Sequence, residues 1–177
     1  PALVTASSLG TPPADAGDLD ESSTAILFGD QTIHDRWRSG GRFTAGYWWD
    51  QSQWGGVEFS YFGVDGHDTQ FSDDERTGRI LARPFYDVVT SGGESLLVSY
   101  PGVMDGGIDI EADMEFTGAE FLFRRMGYLS PTARVDFVAG YRYARLMDQL
   151  KIRESLFPLD ATSGLTPGTF VDRRDLF

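Results

Sequence analysis

The chain contains no cysteine, which excludes both a disulfide framework and a thiolate metal site. No run approaches the roughly 18 consecutive apolar residues of a membrane-crossing helix, so any passage through a bilayer must be made by strands. Basic residues are scarce, 15 Lys and Arg against 27 Asp and Glu, and the formal net charge is −12. Phosphate backbones are met by clustered Lys and Arg, so no nucleic-acid partner is expected. The only histidines, His34 and His67, fall in loop-like sequence without a second His at ligand spacing, and no metal site is expected from them. The sequence opens at Pro1 with no basic n-region or apolar h-region of an export signal, and it stops where a new apolar element is starting. It is therefore expected to be a piece of a longer chain.

What the sequence does have is glycine, aromatics and period-two alternation. Residues 135–143 read Val-Asp-Phe-Val-Ala-Gly-Tyr-Arg-Tyr. Successive strand side chains point to opposite sides, so Val135, Phe137, Ala139, Tyr141 and Tyr143 share an apolar face opposite Asp136, Gly140 and Arg142. The same alternation predicts strands over residues 42–49, 57–63, 107–125 and 134–146, consecutive neighbours in an antiparallel meander. Their connections alternate in length. Residues 50–56 and 126–132 are short turns, whereas the connections after Gly63 and Leu146 are long. Outer-membrane barrels alternate in this way, with short periplasmic turns and longer extracellular loops.

The fold expected is thus all-β, an antiparallel up-and-down meander forming part of a transmembrane outer-membrane β-barrel with long extracellular loops. Residues 1–40 are expected to be an extracellular loop with a short strand near 24–28, 41–63 a hairpin, and 64–106 a long loop with extramembrane strands at 80–89 and 95–100. Residues 107–146 then make a second hairpin, and 147–177 a polar loop and the start of the next strand. Pro84 lacks a ladder donor, which assigns its strand to an edge or to a position outside the membrane.

Several motifs, in this order and spacing, resemble a known family. They are Gly-Gly-Arg-Phe-Thr-Ala-Gly-Tyr-Trp at 40–48, Leu-Ala-Arg-Pro-Phe at 81–85, Gly-Ala-Glu at 118–120 and Arg-Val-Asp-Phe-Val-Ala-Gly-Tyr-Arg-Tyr at 134–143. Pro-Ala-Leu-Val-Thr at 1–5 and Ile-Leu-Phe-Gly at 26–29 fit as well. Together they look like the bacterial outer-membrane β-barrel porin type 7 proteins, over nearly the whole chain. The resemblance implies fold and location, and it carries no substrate or catalytic residue. Relative to that family the chain lacks an initial strand and the later strands, so its expected partners are outer-membrane lipid and the remaining strands of the same barrel.

A charged side chain facing lipid near the midplane costs about 2–4 kcal/mol for Arg or Lys. The charged face, Arg42, Glu58, Glu120, Arg124, Arg134, Asp136 and Arg142, is therefore expected to line the lumen. The aromatic face, Phe43, Tyr47, Trp49, Phe59, Tyr61, Phe121, Phe123, Phe137, Tyr141 and Tyr143, is expected to meet lipid. With both signs on neighbouring strands, the charges suit a cross-strand network that holds the wall in register, or a channel lining that biases permeation.

Catalytic chemistry is not expected. Ser60 shares a side with Glu58 but has no His near it to serve as general base. Asp15, Asp18, Asp20 and Glu21 read as solvated loop, and the run Asp65, Asp68, Asp73, Asp74, Glu75 lacks the ordered ligand alternation of a calcium loop. No glycine-rich stretch matches a phosphate or dinucleotide fingerprint, and no cofactor is implied. A porin-like transport or structural protein is the leading expectation. The alternatives are a soluble lipocalin-like carrier with its aromatics turned inward, and an outer-membrane enzyme.

Overall fold

The computed structural model describes residues 1–32, 37–66, 68–89 and 91–177. His34 and His67 lie outside the described residues. The strands are β1 (Ala2–Ser7), β2 (Thr24–Gly29), β3 (Gly40–Trp48), β4 (Gly55–Val64), β5 (Thr69–Asp74), β6 (Ile80–Asp87), β7 (Gly92–Ser99), β8 (Met104–Leu129), β9 (Arg134–Pro158) and β10 (Val171–Leu176). Every pairing with a given register is antiparallel. Helix among the described residues amounts to two 3-10 turns, Glu75–Thr77 and Ala161–Ser163, so the chain is all-β as expected. Among the described residues no helix is long and apolar enough to cross a membrane.

The chain forms two compact units. The first, residues 36–67 and 113–148, is a sheet unit built from β3, β4 and stretches of β8 and β9. Strand order in the larger sheet is β10-β9-β8-β4-β3, which makes the four strands predicted from alternation consecutive neighbours. The β3–β4 ladder runs without a shift from Gly40↔Val64 to Trp48↔Gly56, and β4–β8 from Gly55↔Arg125 to Val64↔Phe116. An unshifted register preserves face parity, because a one-residue slip would turn every side chain over.

Polar turn residues close both hairpins of this unit. Asp50 Oδ1 accepts from the Trp54 amide at 3.2 Å, and Gln53 takes a left-handed φ of 54°. At the other hairpin Ser130 Oγ accepts from the Ala133 amide at 3.0 Å. The turn expected over 126–132 is shorter than predicted, because β8 continues to Leu129 and the Met126 amide still donates across to the Trp54 carbonyl at 2.8 Å.

The second unit, residues 1–35, 68–112 and 149–177, is a sandwich. One layer is the four-stranded sheet β2-β1-β6-β7; the other is formed by β5, β10 and the stretches of β8 and β9 belonging to this unit. Val4, Leu81 and Val98 of the first layer cluster with Met104, Ile108, Ile110, Ile152 and Leu156 of the second. Burying such side chains contributes about 1.5–3 kcal/mol each before entropy is counted. Gly17 is held against the first layer at φ +86°, where a Cβ would stand 2.3 Å from that of Ala82, so only glycine fits there.

The sandwich departs from the sequence expectation in three places. Residues 1–40, expected as loop with one short strand, contain β1 as well as β2, paired from Ser7↔Thr24 to Ala2↔Gly29. Residues 147–158, expected as polar loop, continue β9 to Pro158, with Ile152, Glu154, Leu156 and Pro158 buried in alternation. Glutamate at one of these inward positions obscured the apolar row. Strand β6 is internal rather than an edge, yet its register with β1 stops at Ala82, two residues before Pro84. The proline therefore sits where no ladder bond is asked of it on that side.

Asp160 caps the second 3-10 turn. Its carboxyl is held below the ordinary aspartate range by hydrogen bonds from the Thr162 amide, at 2.9 Å, and the Thr162 hydroxyl, at 3.0 Å. A depressed carboxyl pKa contributes order that is present above the unfolded value, about 3.9, and lost as pH falls through the folded one. Amide exchange at Thr162 is expected to accelerate below about pH 4, and Asp160→Asn, which keeps an acceptor, to remove that dependence.

Candidate functional site

The sheet unit brings the predicted residues onto two distinct faces. Cross-strand pairs Phe43↔Tyr61, Ala45↔Phe59 and Tyr47↔Val57 continue into Phe59↔Phe121, Val57↔Phe123 and Tyr61↔Ala119. Residue Gly127 lies under Phe137, whose ring a Cβ would meet at 2.4 Å, so β9 sets its aromatics on the same side. All ten predicted aromatics are exposed, including Phe43 at 64%, Phe137 at 70% and Tyr141 at 72%. Near the Asp50 turn this face carries a cluster in which Trp49 packs edge-on against Trp54 at 5.6 Å and against Phe123 at 5.3 Å. Aromatic side chains of this kind form the girdles at membrane–water boundaries in barrels.

The opposite face is ion-paired. Arg124 binds Glu58 through Nη2 at 3.0 Å and Nε at 3.2 Å. Arg142 pairs with Glu120 across the β8–β9 boundary. Arg134 grips Asp136 on its own strand at 2.9 and 3.1 Å, and also donates to the Gln53 side chain at 3.0 Å and the Gln53 carbonyl at 2.7 Å. The guanidinium of Arg134 lies over Trp48 at 5.2 Å. Arg42 differs from the others: among the described residues it has no carboxylate partner, and it stands over the Phe62 ring at 5.6 Å. Exposed pairs contribute at most about 1 kcal/mol each, so the network sets register and charge pattern more than stability.

Alternation sets Trp48 and Phe62 on the side of Arg42 and Glu58, but sequence reasoning did not count them among the site residues, and it missed Phe116 altogether. Their signal was parity, since 48, 62 and 116 fall on the same side as Arg42 and Glu120. Phe62 meets Phe116 edge-on at 5.2 Å, and Gly118 gives the Phe62 ring its room, because a Cβ there would approach it to 2.5 Å. Within the acidic run, Asp73 pairs with Arg79 at 3.5 Å, and Asp74 caps the turn at Glu75–Thr77.

A second charged cluster, unforeseen in the sequence, sits in the sandwich. Arg83 Nη1 donates to Glu154 Oε1 at 3.1 Å and pairs with Asp175, while Arg173 Nη1 stands 3.9 Å from Glu154 Oε2. The Glu154 side chain is 1% exposed, and its Oε2 has no hydrogen-bond partner among the described residues. For Arg83 burial opposes the charge, but the hydrogen bonds it donates to Asp175 and Glu154, and the attraction of those carboxylates, outweigh it and raise the pKa. Both arginine and glutamate therefore enter the interior as ions that need each other.

An antiparallel β chain with one exposed aromatic face and one ion-paired face is of the barrel-wall class in architecture, although among the described residues β3 and the β9 stretch 134–148 are left as open edges in the sheet unit. The model of the putative beta barrel porin-7 family matches residues 1–177, and the chain belongs to that family. No curated protein and no solved structure matches it.

Proposed function

We propose that the chain is a wall segment of a porin-like outer-membrane barrel, with the aromatic face toward lipid and the charged face toward the lumen. The observation that carries this is the segregation across the sheet unit: the ten aromatics of the predicted apolar face occupy one side and the ion pairs Arg124–Glu58, Arg142–Glu120 and Arg134–Asp136 the other. Strand lengths agree. β3 and β4 have 9 and 10 residues, and a barrel strand crosses a bilayer in about 9–11.

Chain connectivity supports an orientation. The two short turns, at Asp50 and Ser130, join β3 to β4 and β8 to β9, whereas the segments leaving the other strand ends make up the sandwich unit. Short turns are periplasmic in such barrels, which supports a periplasmic position for the Asp50 and Ser130 turns. Closure requires pairing at the β3 and β9 edges, because unpaired backbone groups in hydrocarbon cost several kcal/mol each. Further strands of the same barrel supply it. No catalytic role is assigned to the chain.

The test is lipid contact together with conduction. Full-length protein retaining Trp49 as its sole tryptophan is reconstituted with lipids brominated along the acyl chains. Strong quenching of Trp49 and stepwise currents in planar bilayers are expected. Unquenched Trp49 emission would overturn the lipid-facing assignment, and quenching without current would remove the porin role while leaving the barrel.

A further inference from the structure

We infer that the charged face of the sheet unit holds a binding site for small aromatic carboxylates, centred on Arg42 and the Phe62–Phe116 pair. A concavity of about 350 Å³ opens there, lined by Arg42, Ser60, Phe62, Phe116, Glu120 and Arg142. That volume falls at the lower end of the range for small-molecule sites, which combine apolar walls with a few convergent polar groups. The inference supplies the solute class for the lumen assignment above and rests on it for access from water.

The chemistry of the lining selects the ligand. Arg42 and Arg142 contribute two positive charges and Glu120 one negative, a balance of one positive in a chain whose net charge is −12. Glu120 is already engaged by Arg142, which leaves Arg42 as the guanidinium with no carboxylate partner among the described residues. The guanidinium lies over the Phe62 ring at 5.6 Å, and a guanidinium held against a ring keeps N–H donors with which to receive a carboxylate in a two-pronged hydrogen bond. A dianion such as phosphate fits less well, because a single free guanidinium would face two charges with Glu120 nearby.

The apolar half of the ligand is specified by the rings. Phe62 and Phe116 meet edge-on at 5.2 Å, and Gly118 leaves space beside Phe62 that any larger residue would fill. An aromatic ring carried by the carboxylate finds an edge or offset-stacked partner there. The Ser60 hydroxyl is shared with Thr44 at 2.8 Å and closes the polar side.

Benzoate is the probe, titrated calorimetrically into full-length protein in detergent, with acetate, benzyl alcohol and inorganic phosphate as comparison arms. Benzoate is expected to bind at least tenfold more tightly than any of the three. Arg42→Gln is expected to weaken it about tenfold or more and Phe62→Leu several-fold, with Arg42→Lys intermediate because it keeps charge but not the fork. Arg42 is exposed and Phe62 half-buried, and unchanged far-ultraviolet dichroism checks the folding of all three variants. Benzoate affinity equal in wild type and Arg42→Gln, or phosphate binding as tightly as benzoate, overturns the site. Binding in detergent does not need a conducting pore. Currents without benzoate binding therefore reject the site alone, and benzoate binding without currents rejects the porin role alone.

Discussion

Phe121→Arg is expected to abolish stable insertion of the barrel, while Phe137→Arg on the same face is tolerated far better. Phe121 pairs with Phe59, which pairs with Ala45, so it lies midway along the β3–β4–β8 ladder. Phe137 is four residues beyond Ala133 of the Ser130–Ala133 turn contact and packs over Gly127 near the strand ends. An Arg toward lipid costs about 2–4 kcal/mol at the midplane and falls to roughly 0–1 near the interface. In water the order would vanish, since Phe121 at 52% and Phe137 at 70% exposed are both surface positions where arginine is harmless. Urea titration of folding into lipid vesicles measures the pair. Equal, negligible losses for the two variants would end the membrane assignment of this face.

Glu154→Ala is expected to cost the sandwich unit about 3 kcal/mol, the scale on which removing one member of a buried ion pair leaves the other poorly compensated. Arg83 would keep Asp175, which is 43% exposed and a weaker replacement for a carboxylate that is 1% exposed. Against the about 5–15 kcal/mol typical of whole domains, that loss moves a denaturation midpoint visibly. The double substitution Arg83→Met with Glu154→Leu should recover much of it, because no charge then remains to be desolvated. A midpoint unmoved by Glu154→Ala would show that the pair is solvated in practice.

The sheet unit was legible in the sequence because its faces are set by alternation alone. In residues 42–49, 57–63 and 135–143 every second position is aromatic or otherwise uncharged and mostly apolar, and the register then follows from two tight turns. The all-β antiparallel order was readable for the same reason. The sandwich was hidden by tertiary packing. β1, with the sequence Ala-Leu-Val-Thr-Ala-Ser, shows no clean alternation and is a strand because β2 and β6 flank it. The end of β9 looked polar because Glu154 holds a core position, a choice that makes sense only once Arg83, some seventy residues earlier, is known to lie opposite. Parity put Phe62 on the charged side; only the structure revealed that it packs against Phe116 and lies beneath Arg42.

The sandwich is stitched from three separated stretches, and this governs when it can fold. Thr5 reaches Ala82 across 77 positions, and Arg83 reaches Asp175 across 92. Contacts so distant in sequence close large loops before any of them is rewarded, which places such topologies among the slow folders. A chain emerging from its amino end can form the β6–β7 hairpin early, but it must wait for the β9 and β10 residues before the ionic group of Arg83, Glu154 and Asp175 can assemble. Until then those side chains stay hydrated, and their charges oppose premature burial of the half-built core. The interval leaves the nascent unit open, a window in which it is most exposed to proteases and most receptive to chaperones.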